Sequence, residues 1–285
     1  MKVPFNIDLK GKVAVVTGGG GVLCGHFSQA LGLCGAKVAV LDLRKEAADK
    51  VADKINASGG TSIGLEADVL KLESLLKAEE KIREEFGPCN ILINGAGGNH
   101  PKGTTSNEYL TLEDLKSKQE GLTTFFDLHL EGFEFVFNLN FIGTLLPTQV
   151  FAKNMINQKG AVIINISSMN SFRPLTKIPA YSAAKAAVSN FTKWLAVHFS
   201  KVGIRVNAIA PGFFLTEQNR SLLMKEDGSY TNRAKKIISH TPLQRFGEPE
   251  DLLGTFLWLV DEQASGFVNG IVVPVDGGFS AYSGV

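Results

Sequence analysis

The sequence predicts an α/β fold in which a parallel, seven-stranded sheet is covered by helices on both faces. Two observations support this prediction. Short apolar runs rich in Val, Ile and Ala alternate with helix-length segments along the 285 residues. The runs are continuously apolar rather than alternating, which is typical of parallel strands buried on both faces. Because crossovers between parallel strands are right-handed, this order of elements is compatible with few topologies and indicates a Rossmann-type fold.

Each element is predicted from its own local pattern. The seven strands are predicted at Lys12–Val16, Lys37–Leu41, Ser62–Glu66, Asn90–Ile93, Ala161–Ile166, Ile204–Ile209 and Ile271–Val275, with Ser62–Glu66 the weakest. The clearest helices are predicted at Lys45–Ala57, Leu72–Phe86 and Tyr181–Ser200. In the last of these helices, apolar residues recur every three or four positions, so one of its faces is expected to pack against a core.

Length, charge and cysteine content predict a single domain, residues 1–285, that acts on a small molecule. Lys plus Arg number 29 and Asp plus Glu number 28, so the net charge of +1 favours neither a nucleic acid nor an anionic membrane as partner. Cys24, Cys34 and Cys89 show no metal-ligand spacing, and their odd number predicts reduced thiols in a cytoplasmic protein. The histidines show no metal-ligand spacing either, so no metal is expected. No apolar secretion segment or uninterrupted membrane-length apolar stretch is present.

A glycine run follows the first predicted strand. Thr17 and Gly18 to Gly21 lie between that strand and a helix, where backbone amides and the helix N-terminus can bind a pyrophosphate. Asp42 ends the second strand, the position of a carboxylate that binds adenosine ribose hydroxyls and repels a 2′-phosphate. This pattern favours NAD, while Arg44 and Lys45 leave NADP open. The alternatives are an ordinary glycine turn and a helix-capping role for Asp42.

Three polar residues have the spacing of a carbonyl redox site. Tyr181 and Lys185 are four residues apart on a predicted helix, so their side chains lie on one face. A neighbouring ammonium is expected to lower the pKa of the phenol toward the working range. Ser168 follows a predicted buried strand, and its hydroxyl is expected at the carboxyl edge of the sheet. The alternative is that a tyrosine and a lysine share a helix face by chance.

Ordered motifs give the chain a family resemblance. It resembles the short-chain dehydrogenase/reductases over nearly its whole length, through TGGGGVLCG, Asp68-Val69, Asn94-Gly95-Ala96-Gly97, Asn140, Ser168, Tyr181, Lys185, Pro211-Gly212 and Thr216. The resemblance implies that Tyr181 exchanges a proton with the substrate oxygen and that Ser168 positions this oxygen. It further implies that Lys185 lowers the phenol pKa and holds the nicotinamide ribose, and that Asn140 holds a relay water. The implied cofactor-binding residues are Gly18, Gly20, Gly21, Leu23, Asp42, Asp68, Val69, Asn94, Ala96, Tyr181, Lys185, Pro211, Gly212, Phe214 and Thr216.

The resemblance has two departures and one further implication. Val22 and Cys24 stand where the usual family loop has glycines, and Gly95 replaces an asparagine that normally ties neighbouring strands. The geometry of the phosphate loop is therefore open. The family also implies a homotetramer formed through long helices, for which Asn140–Asn157 and Tyr181–Ser200 are suitable.

Within the family, the chain most resembles the short-chain type of D-mannonate oxidoreductase, also called fructuronate reductase. The resemblance rests on TGGGGVLCG, INGAGGNHP, FNLNFIGTLLPTQVFAK, NISSMNSF and APGFFLTEQNR. It implies reversible hydride transfer between NADH and the ketone of D-fructuronate, which gives D-mannonate. Two alternatives are an oxidoreductase for another hexonate, polyol or keto-deoxy sugar acid, and a dinucleotide-binding sensor without turnover.

The substrate is expected beneath an extended loop region around residues 98–130, which is rich in Thr, Lys and Glu. A sugar acid needs a cation for its carboxylate and several hydrogen-bonding groups for its hydroxyls. The candidate substrate residues are Asn99, His100, Asn170, Arg173 and Gln218. Arg173, five residues after Ser168, is the leading candidate for the carboxylate, and the alternative is that it is a solvated loop residue.

Overall fold

A seven-stranded parallel sheet forms the centre of the protein, with strand order β3-β2-β1-β4-β5-β6-β7. The computed structural model describes residues 6–116, 120–216 and 219–284. The strands are β1 Val13–Thr17, β2 Lys37–Asp42, β3 Thr61–Glu66, β4 Ile91–Asn94, β5 Val162–Ile166, β6 Arg205–Pro211 and β7 Val272–Val275. The predicted Rossmann-type α/β fold is confirmed, and each strand lies within two residues of its predicted bounds.

Helices cover both faces of this sheet. They are α1 Val22–Leu33, α2 Lys45–Ala57, α3 Leu72–Glu85, α4 Leu112–Lys116, α5 Leu130–Phe137, α6 Gly143–Met155, α7 Pro179–His198, α8 Arg220–Leu223, α9 Asn232–Ser239, α10 Leu253–Val260 and α11 Glu262–Ser265. Phe27, Phe256 and Ile93 belong to the core on one face, while Phe151, Met155 and Leu92 belong to the core on the other. Successive residues of one strand therefore enter different cores, which explains why the strands are apolar throughout.

The strand order reverses at β1. Thr17 at its end pairs with Leu41 of β2 on one side and with Asn94 of β4 on the other. The chain leaves β1 and β4 in opposite directions, so a crevice forms above their carboxyl ends, where open α/β sheets bind ligands. The glycine run and the Asn94 loop both border this crevice.

The helical region that begins before Asn140 differs from the prediction. It starts at Leu130 as α5, passes through a π-helical turn over Asn138–Ile142 and continues as α6. The aromatic side chains of Phe133 and Phe137 pack against the cluster that contains Ala180 and Ala184 of α7. This packing between distant segments extends the helix toward its N-terminus, and it is not visible in local sequence periodicity.

The combined segment Leu130–Met155 is long and apolar enough to cross a membrane by length and composition alone. Its most apolar window has a mean hydropathy of 1.3, and half of this window is buried inside the fold. Core helices of water-soluble proteins have the same properties, so the segment alone is weak support for membrane insertion.

The described residues of the extended loop region, 98–116 and 120–130, form short elements. They include 3₁₀ turns at Pro101–Gly103 and Phe125–Asp127, with α4 between them. The backbone N–H of Thr105 donates a 2.9 Å hydrogen bond to the carbonyl oxygen of Lys177, just before α7. The extension is therefore attached to the segment that leads into Tyr181.

Candidate active site

Polar residues collect at the carboxyl edge of the central strands. Thr17, Asn94 and Ser168 lie at or just beyond the ends of β1, β4 and β5, which are neighbours in the sheet. The first turn of α7 brings Tyr181 to the same edge, because the 3₁₀ turn Met169–Ser171 packs on α7 directly after Ser168. Residues that are distant in the sequence thus surround one crevice.

Ser168, Tyr181 and Lys185 are brought together as their spacing predicts. The Ser168 hydroxyl lies close enough to the phenol of Tyr181 for hydrogen bonding to lower the pKa of that phenol. The Lys185 Nζ atom lies 5.6 Å from the centroid of the Tyr181 ring. It also donates a 2.8 Å hydrogen bond to the carbonyl oxygen of Ile166, the last residue of β5. The three side chains therefore form one contiguous group.

The electrostatics of this group differ from the sequence-based expectation. Burial raises the pKa of Tyr181 above its ordinary value, and the hydrogen bond with Ser168 offsets only part of this increase. Burial also lowers the pKa of Lys185 to about 8. The expectation that Lys185 brings the phenol into the working range is therefore wrong for this structure, because loss of solvation dominates both groups. Near neutral pH the phenol is protonated and can act as an acid.

Asn140 lies in the π-helical turn and is fully buried. Its Nδ2 atom donates hydrogen bonds of 2.7 Å to the carbonyl oxygen of Gly98 and 2.8 Å to that of Val136. Its Oδ1 atom is buried without a hydrogen-bond partner. A buried acceptor normally has a partner, so this atom is suited to bind a water molecule. π-Helical turns are frequent at functional sites, and here the turn directs a polar side chain inward.

Gly97 lies between Asn140 and Lys185. A Cβ atom at this position would lie 2.7 Å from Asn140 Oδ1 and 3.1 Å from Lys185 Nζ. The two polar atoms consequently face a space that only glycine leaves open.

The glycine run forms a close contact with the loop after β4. Gly18 has a φ of +62°, and a Cβ there would lie 2.9 Å from the backbone N and Cα atoms of Ala96. The helix α1 begins directly after Gly21, and Leu23 lies in its first turn. The predicted arrangement of a strand, a glycine loop and a helix is therefore present, and its backbone amides border the crevice.

Asp42 ends β2 beside this loop. Its Oδ2 atom accepts a 3.1 Å hydrogen bond from the N–H of Gly20, and its Oδ1 atom accepts one of 3.1 Å from the N–H of Arg44. The Arg44 side chain is largely exposed, with its Nε 4.0 Å from Asp42. A carboxylate at this point can accept hydrogen bonds from ribose hydroxyls and repels a phosphate.

Three further residues implied to bind the cofactor lie at the carboxyl ends of strands, with Asp68 and Val69 just after β3 and Asn94 at the end of β4. The Asp68 carboxylate accepts a 3.0 Å hydrogen bond from the N–H of Leu70, and Val69 is buried and packs near Gly143. Asn94 is buried, and its Nδ2 donates 2.9 Å hydrogen bonds to Thr148 and Asn165. The Asn94 side chain therefore ties β4 to its neighbours, so any cofactor contact from it must involve its backbone or its unpartnered Oδ1 atom.

The loop after β6 contributes mainly its backbone. Pro211 ends β6, and Gly212 packs so tightly on Asp276 that a Cβ would lie 2.6 Å from it. Phe214 is buried with its ring against Gly247, so the ring belongs to the core. The N–H of Thr216 donates a 2.9 Å hydrogen bond to Oδ1 of Asn219, which stabilises the loop.

Two candidate substrate residues lie at the start of the extension. Nδ2 of Asn99 donates a 3.2 Å hydrogen bond to Thr104. The His100 Nδ1 atom accepts a 3.1 Å hydrogen bond from the N–H of Lys102, and its ring packs on Phe135 at 4.9 Å. Because Nδ1 is an acceptor, a neutral His100 carries its proton on Nε2 and can donate from there.

The remaining candidates differ in their surroundings. Asn170 is buried next to Ser168, and its Oδ1 atom has no hydrogen-bond partner. Arg173 is exposed, and its guanidinium donates a hydrogen bond to the carbonyl oxygen of Tyr282 near the C-terminus. Gln218 lies outside the described residues. Asn170 therefore has a free buried acceptor, whereas Arg173 is engaged by the C-terminal segment.

The structure adds contacts that sequence analysis did not predict. The Thr17 hydroxyl accepts hydrogen bonds of 3.1 Å from the N–H of Gly95 and 3.3 Å from that of Ala96. A residue other than the missing asparagine thus binds the backbone at Gly95. Glu108 of the extension pairs with Lys236 of α9 at 2.5 Å, which joins two segments near the site. Their separation in the sequence left no local signal for this pair.

Within the described ranges, no cluster of three or more His, Cys, Asp or Glu side chains is arranged to hold a metal. The three cysteines are free thiols. Burial raises the pKa of Cys24 and of Cys89 to about 12. Both of these thiols are therefore neutral at physiological pH.

The sequence of this chain is similar to a protein family and to individual oxidoreductases. The profile of the short chain dehydrogenase family matches residues 12–227. An "Uncharacterized oxidoreductase" of Haemophilus influenzae is 59% identical over 285 residues, covering 100% of this chain and 99% of that protein. A "2-dehydro-3-deoxy-D-gluconate 5-dehydrogenase" of Formosa agariphila is 32% identical over 278 residues, covering 97% of this chain and 96% of that protein.

A solved structure is also similar over almost the whole chain. It is that of a "putative D-Mannonate oxidoreductase" from Haemophilus influenza with bound NAD. The TM-score is 0.94 at 58% sequence identity, and the match covers 98% of this chain and 99% of that chain.

Proposed function

Because the chain belongs to the short-chain dehydrogenase family, we propose that it is an NAD(H)-dependent oxidoreductase that reduces the ketone of a sugar acid. D-Fructuronate and D-mannonate are the proposed ketone and alcohol. The observation that carries the proposal is the contiguous group of Ser168, Tyr181 and Lys185 beside the glycine loop. The similarity to an NAD-bound "putative D-Mannonate oxidoreductase" supports both the cofactor and the substrate.

The residues of the crevice fit a dinucleotide. The N–H groups of Gly19, Gly20 and Gly21 already donate to Leu41, Asp42 and Gly18, so the N-terminus of α1 would hold the pyrophosphate. Asp42 would bind the adenosine ribose, and this carboxylate favours NAD over NADP. The cradle beside Gly97, which a Cβ would fill, suits the nicotinamide end of the molecule. The bound nicotinamide would supply or accept the hydride.

The proton is proposed to come from Tyr181. Because burial raises the pKa of this phenol, the group keeps its proton until an oxygen in the crevice becomes basic. The Ser168 hydroxyl would orient that oxygen, since Ser168 already contacts the phenol. The Lys185 ammonium would stabilise the negative charge that develops there. In the oxidation direction Tyr181 would first release its proton, and the resulting phenolate would take the proton of the alcohol.

Protons are proposed to pass between Tyr181 and solvent through Lys185 and Asn140. Both polar atoms border Gly97, and Asn140 Oδ1 lacks a partner. A water on this oxygen would accept or supply protons without opening the crevice. In this arrangement Asn140 binds water rather than substrate.

The sugar acid is proposed to lie between the crevice and the extension. Asn170 has a buried unpartnered acceptor for a hydroxyl, and His100 has an Nε2–H donor. Arg173 would bind the carboxylate after its contact with Tyr282 is exchanged for the substrate. Asn99 and Gln218 complete the proposed set of substrate residues.

A direct assay tests the function. Purified protein is given NADH or NADPH together with D-fructuronate, other keto sugar acids or a neutral ketose, and cofactor oxidation is followed spectrophotometrically. We expect turnover with NADH and D-fructuronate and poor use of NADPH. Turnover of the neutral ketose at the same efficiency would contradict a sugar-acid substrate.

A related substrate is the second candidate. The similarity to a "2-dehydro-3-deoxy-D-gluconate 5-dehydrogenase" favours a keto-deoxy sugar acid over a neutral polyol. Higher kcat/KM with such a compound than with D-fructuronate would select this alternative. Absence of NADH oxidation with every compound would favour a dinucleotide-binding sensor.

The protein is further proposed to be a homotetramer. Trp194 and Val197 of α7 and Leu130 and Phe135 of α5 are exposed apolar side chains, which a second copy would cover. Light scattering coupled to size-exclusion chromatography tests this proposal, and a monomer at micromolar concentration would contradict it.

A further inference from the structure

Cys24 lies in the first turns of α1, just after the glycine run. Its side chain is 5% exposed and belongs to the core that includes Phe27 and Ile93. The family pattern has a glycine at this position, so the thiol adds volume directly behind the phosphate loop. Because burial raises the pKa of this thiol to about 12, its contribution at neutral pH comes from volume rather than charge.

Gly95 faces the same point from the end of β4. A Cβ atom at Gly95 would overlap the Cys24 Sγ atom and would lie 2.8 Å from the carbonyl oxygen of Thr17. Gly95 is not among the glycines with a positive φ, so its backbone conformation is open to other residues. Lack of space, and not backbone conformation, therefore requires glycine here.

We propose that Cys24 and Gly95 form a complementary pair that positions the glycine loop against the end of β4 for dinucleotide binding. The departures from the family pattern at positions 24 and 95 then compensate each other in volume. A side chain is added on α1 where the family has glycine, and a side chain is absent just after β4 where the family has asparagine. The inference rests on the proposed function, because it assigns the pair a role in holding NAD(H).

Backbone contacts near Cys24 and Gly95 connect this pair to the start of the phosphate loop. Thr17 receives hydrogen bonds from the N–H groups of Gly95 and Ala96, and Gly18 packs on Ala96 with no room for a Cβ. The end of β4 and the start of the phosphate loop are thus in direct contact at both places. A shift of the chain after β4, caused by a larger residue at position 95, must move Thr17 and Gly18, which lead into the glycine run and α1.

Three variants test the pair. Gly95→Ala introduces the overlapping Cβ, Cys24→Ala removes the Sγ atom with which it collides, and the double variant contains both changes. We expect Gly95→Ala to raise the Kd of NADH by about tenfold or more, and the double variant to recover a large part of that loss. Residual loss is expected because the Thr17 carbonyl remains close to the new Cβ.

The controls separate positioning from general stability. Gly254→Ala places a Cβ in open space and is expected to leave NADH binding unchanged. Thermal midpoints are measured for every variant, together with the KM for NADH and kcat at saturating NADH. Positioning of the loop predicts a raised KM for NADH in Gly95→Ala while kcat is largely retained, and recovery of that KM in the double variant.

For the variants that fold, two outcomes would refute the proposal that Cys24 and Gly95 act as a pair. The first is additivity of the two substitutions in NADH affinity, and the second is a fall in thermal midpoint with unchanged affinity. If Gly95→Ala fails to fold, the comparison of Cys24→Ala with wild type remains, and unchanged NADH affinity in Cys24→Ala would refute the pair. Direct NADH binding needs no sugar acid. A wild-type protein that does not bind NADH refutes the proposed function, whereas additivity refutes only the pair.

Discussion

Lys185 lies with its Nζ 5.6 Å from the centre of the Tyr181 ring and donates a 2.8 Å hydrogen bond to the end of β5. The hydrogen bond holds the ammonium at the sheet edge, beside the phenol rather than in solvent. Both groups are buried, so burial raises the pKa of Tyr181 and lowers the pKa of Lys185.

Replacing Tyr181 by Phe removes the proton donor and preserves the ring. We expect kcat to fall by about 10²–10⁴-fold, the range for loss of a general acid, while the Kd for NADH changes little. Steady-state kinetics and direct NADH binding measure the two quantities. A folded Tyr181→Phe protein with the wild-type rate would refute the assignment.

Reduction is expected to slow as the pH rises through about 8. The pKa of Lys185 is about 8, so its ammonium is present below this pH and lost above it. Tyr181 does not titrate in this range, because burial raises its pKa above the ordinary value. The measurement is the pH profile of kcat/KM with NADH, and a profile that stays flat between about pH 7 and pH 9 would contradict the prediction.

Gly97→Ala is expected to impair turnover without unfolding the protein. The new Cβ would lie 2.7 Å from Asn140 Oδ1 and 3.1 Å from Lys185 Nζ, so it would fill the space between the two polar groups. We expect a loss of about 10-fold or more in kcat/KM. Gly98→Ala is the matched control, since its Cβ would make an ordinary 3.4 Å contact with Leu139. Equal effects of the two substitutions would contradict the argument.

Asp42→Asn is expected to weaken the discrimination between NADH and NADPH. The change removes the negative charge that repels a 2′-phosphate and keeps the size of the side chain. The ratio of kcat/KM for NADH to that for NADPH should fall by about tenfold, which corresponds to about 1.4 kcal/mol. The same ratio measured for Asp68→Asn provides a comparison, and no change in the Asp42 variant would remove this residue from the cofactor site.

Thr192→Val is expected to destabilise the fold and to leave NADH binding intact. Thr192 is fully buried, and its hydroxyl accepts a 2.9 Å hydrogen bond from Nδ2 of Asn165. The isosteric valine leaves that buried donor without a partner, which costs about 1–3 kcal/mol. Denaturant unfolding measures the free energy, and an unchanged midpoint would contradict the estimate.

The fold and the members of the candidate site were largely predictable from sequence. Apolar runs determine buried strands because a strand covered on both faces cannot expose polar residues, and the observed strands agree with the predicted ones. The glycine run lies at the start of α1, and Tyr181 and Lys185 share a helix face because four residues make about one helical turn. These are local properties, and local sequence is sufficient for them.

The pairings between distant residues could not be predicted in this way. The overlap that excludes a side chain at Gly95 depends on Cys24, and the contact of Arg173 depends on Tyr282. The π-helical turn at Asn140 lies within a helical region whose start at Leu130 follows packing on α7. The hydrophobic periodicity of the sequence does not reveal these contacts, because they form only when the helices and strands pack together.

By itself, then, the sequence determined the α/β architecture, the residues that gather at the sheet edge and the family. Only the tertiary structure decided the protonation of the site and the spaces within it. The physical reason is that strand and helix patterns are local consequences of burial. The pKa of Tyr181 and the room beside Gly95 and Gly97 depend on how closely distant segments pack and how completely they exclude water.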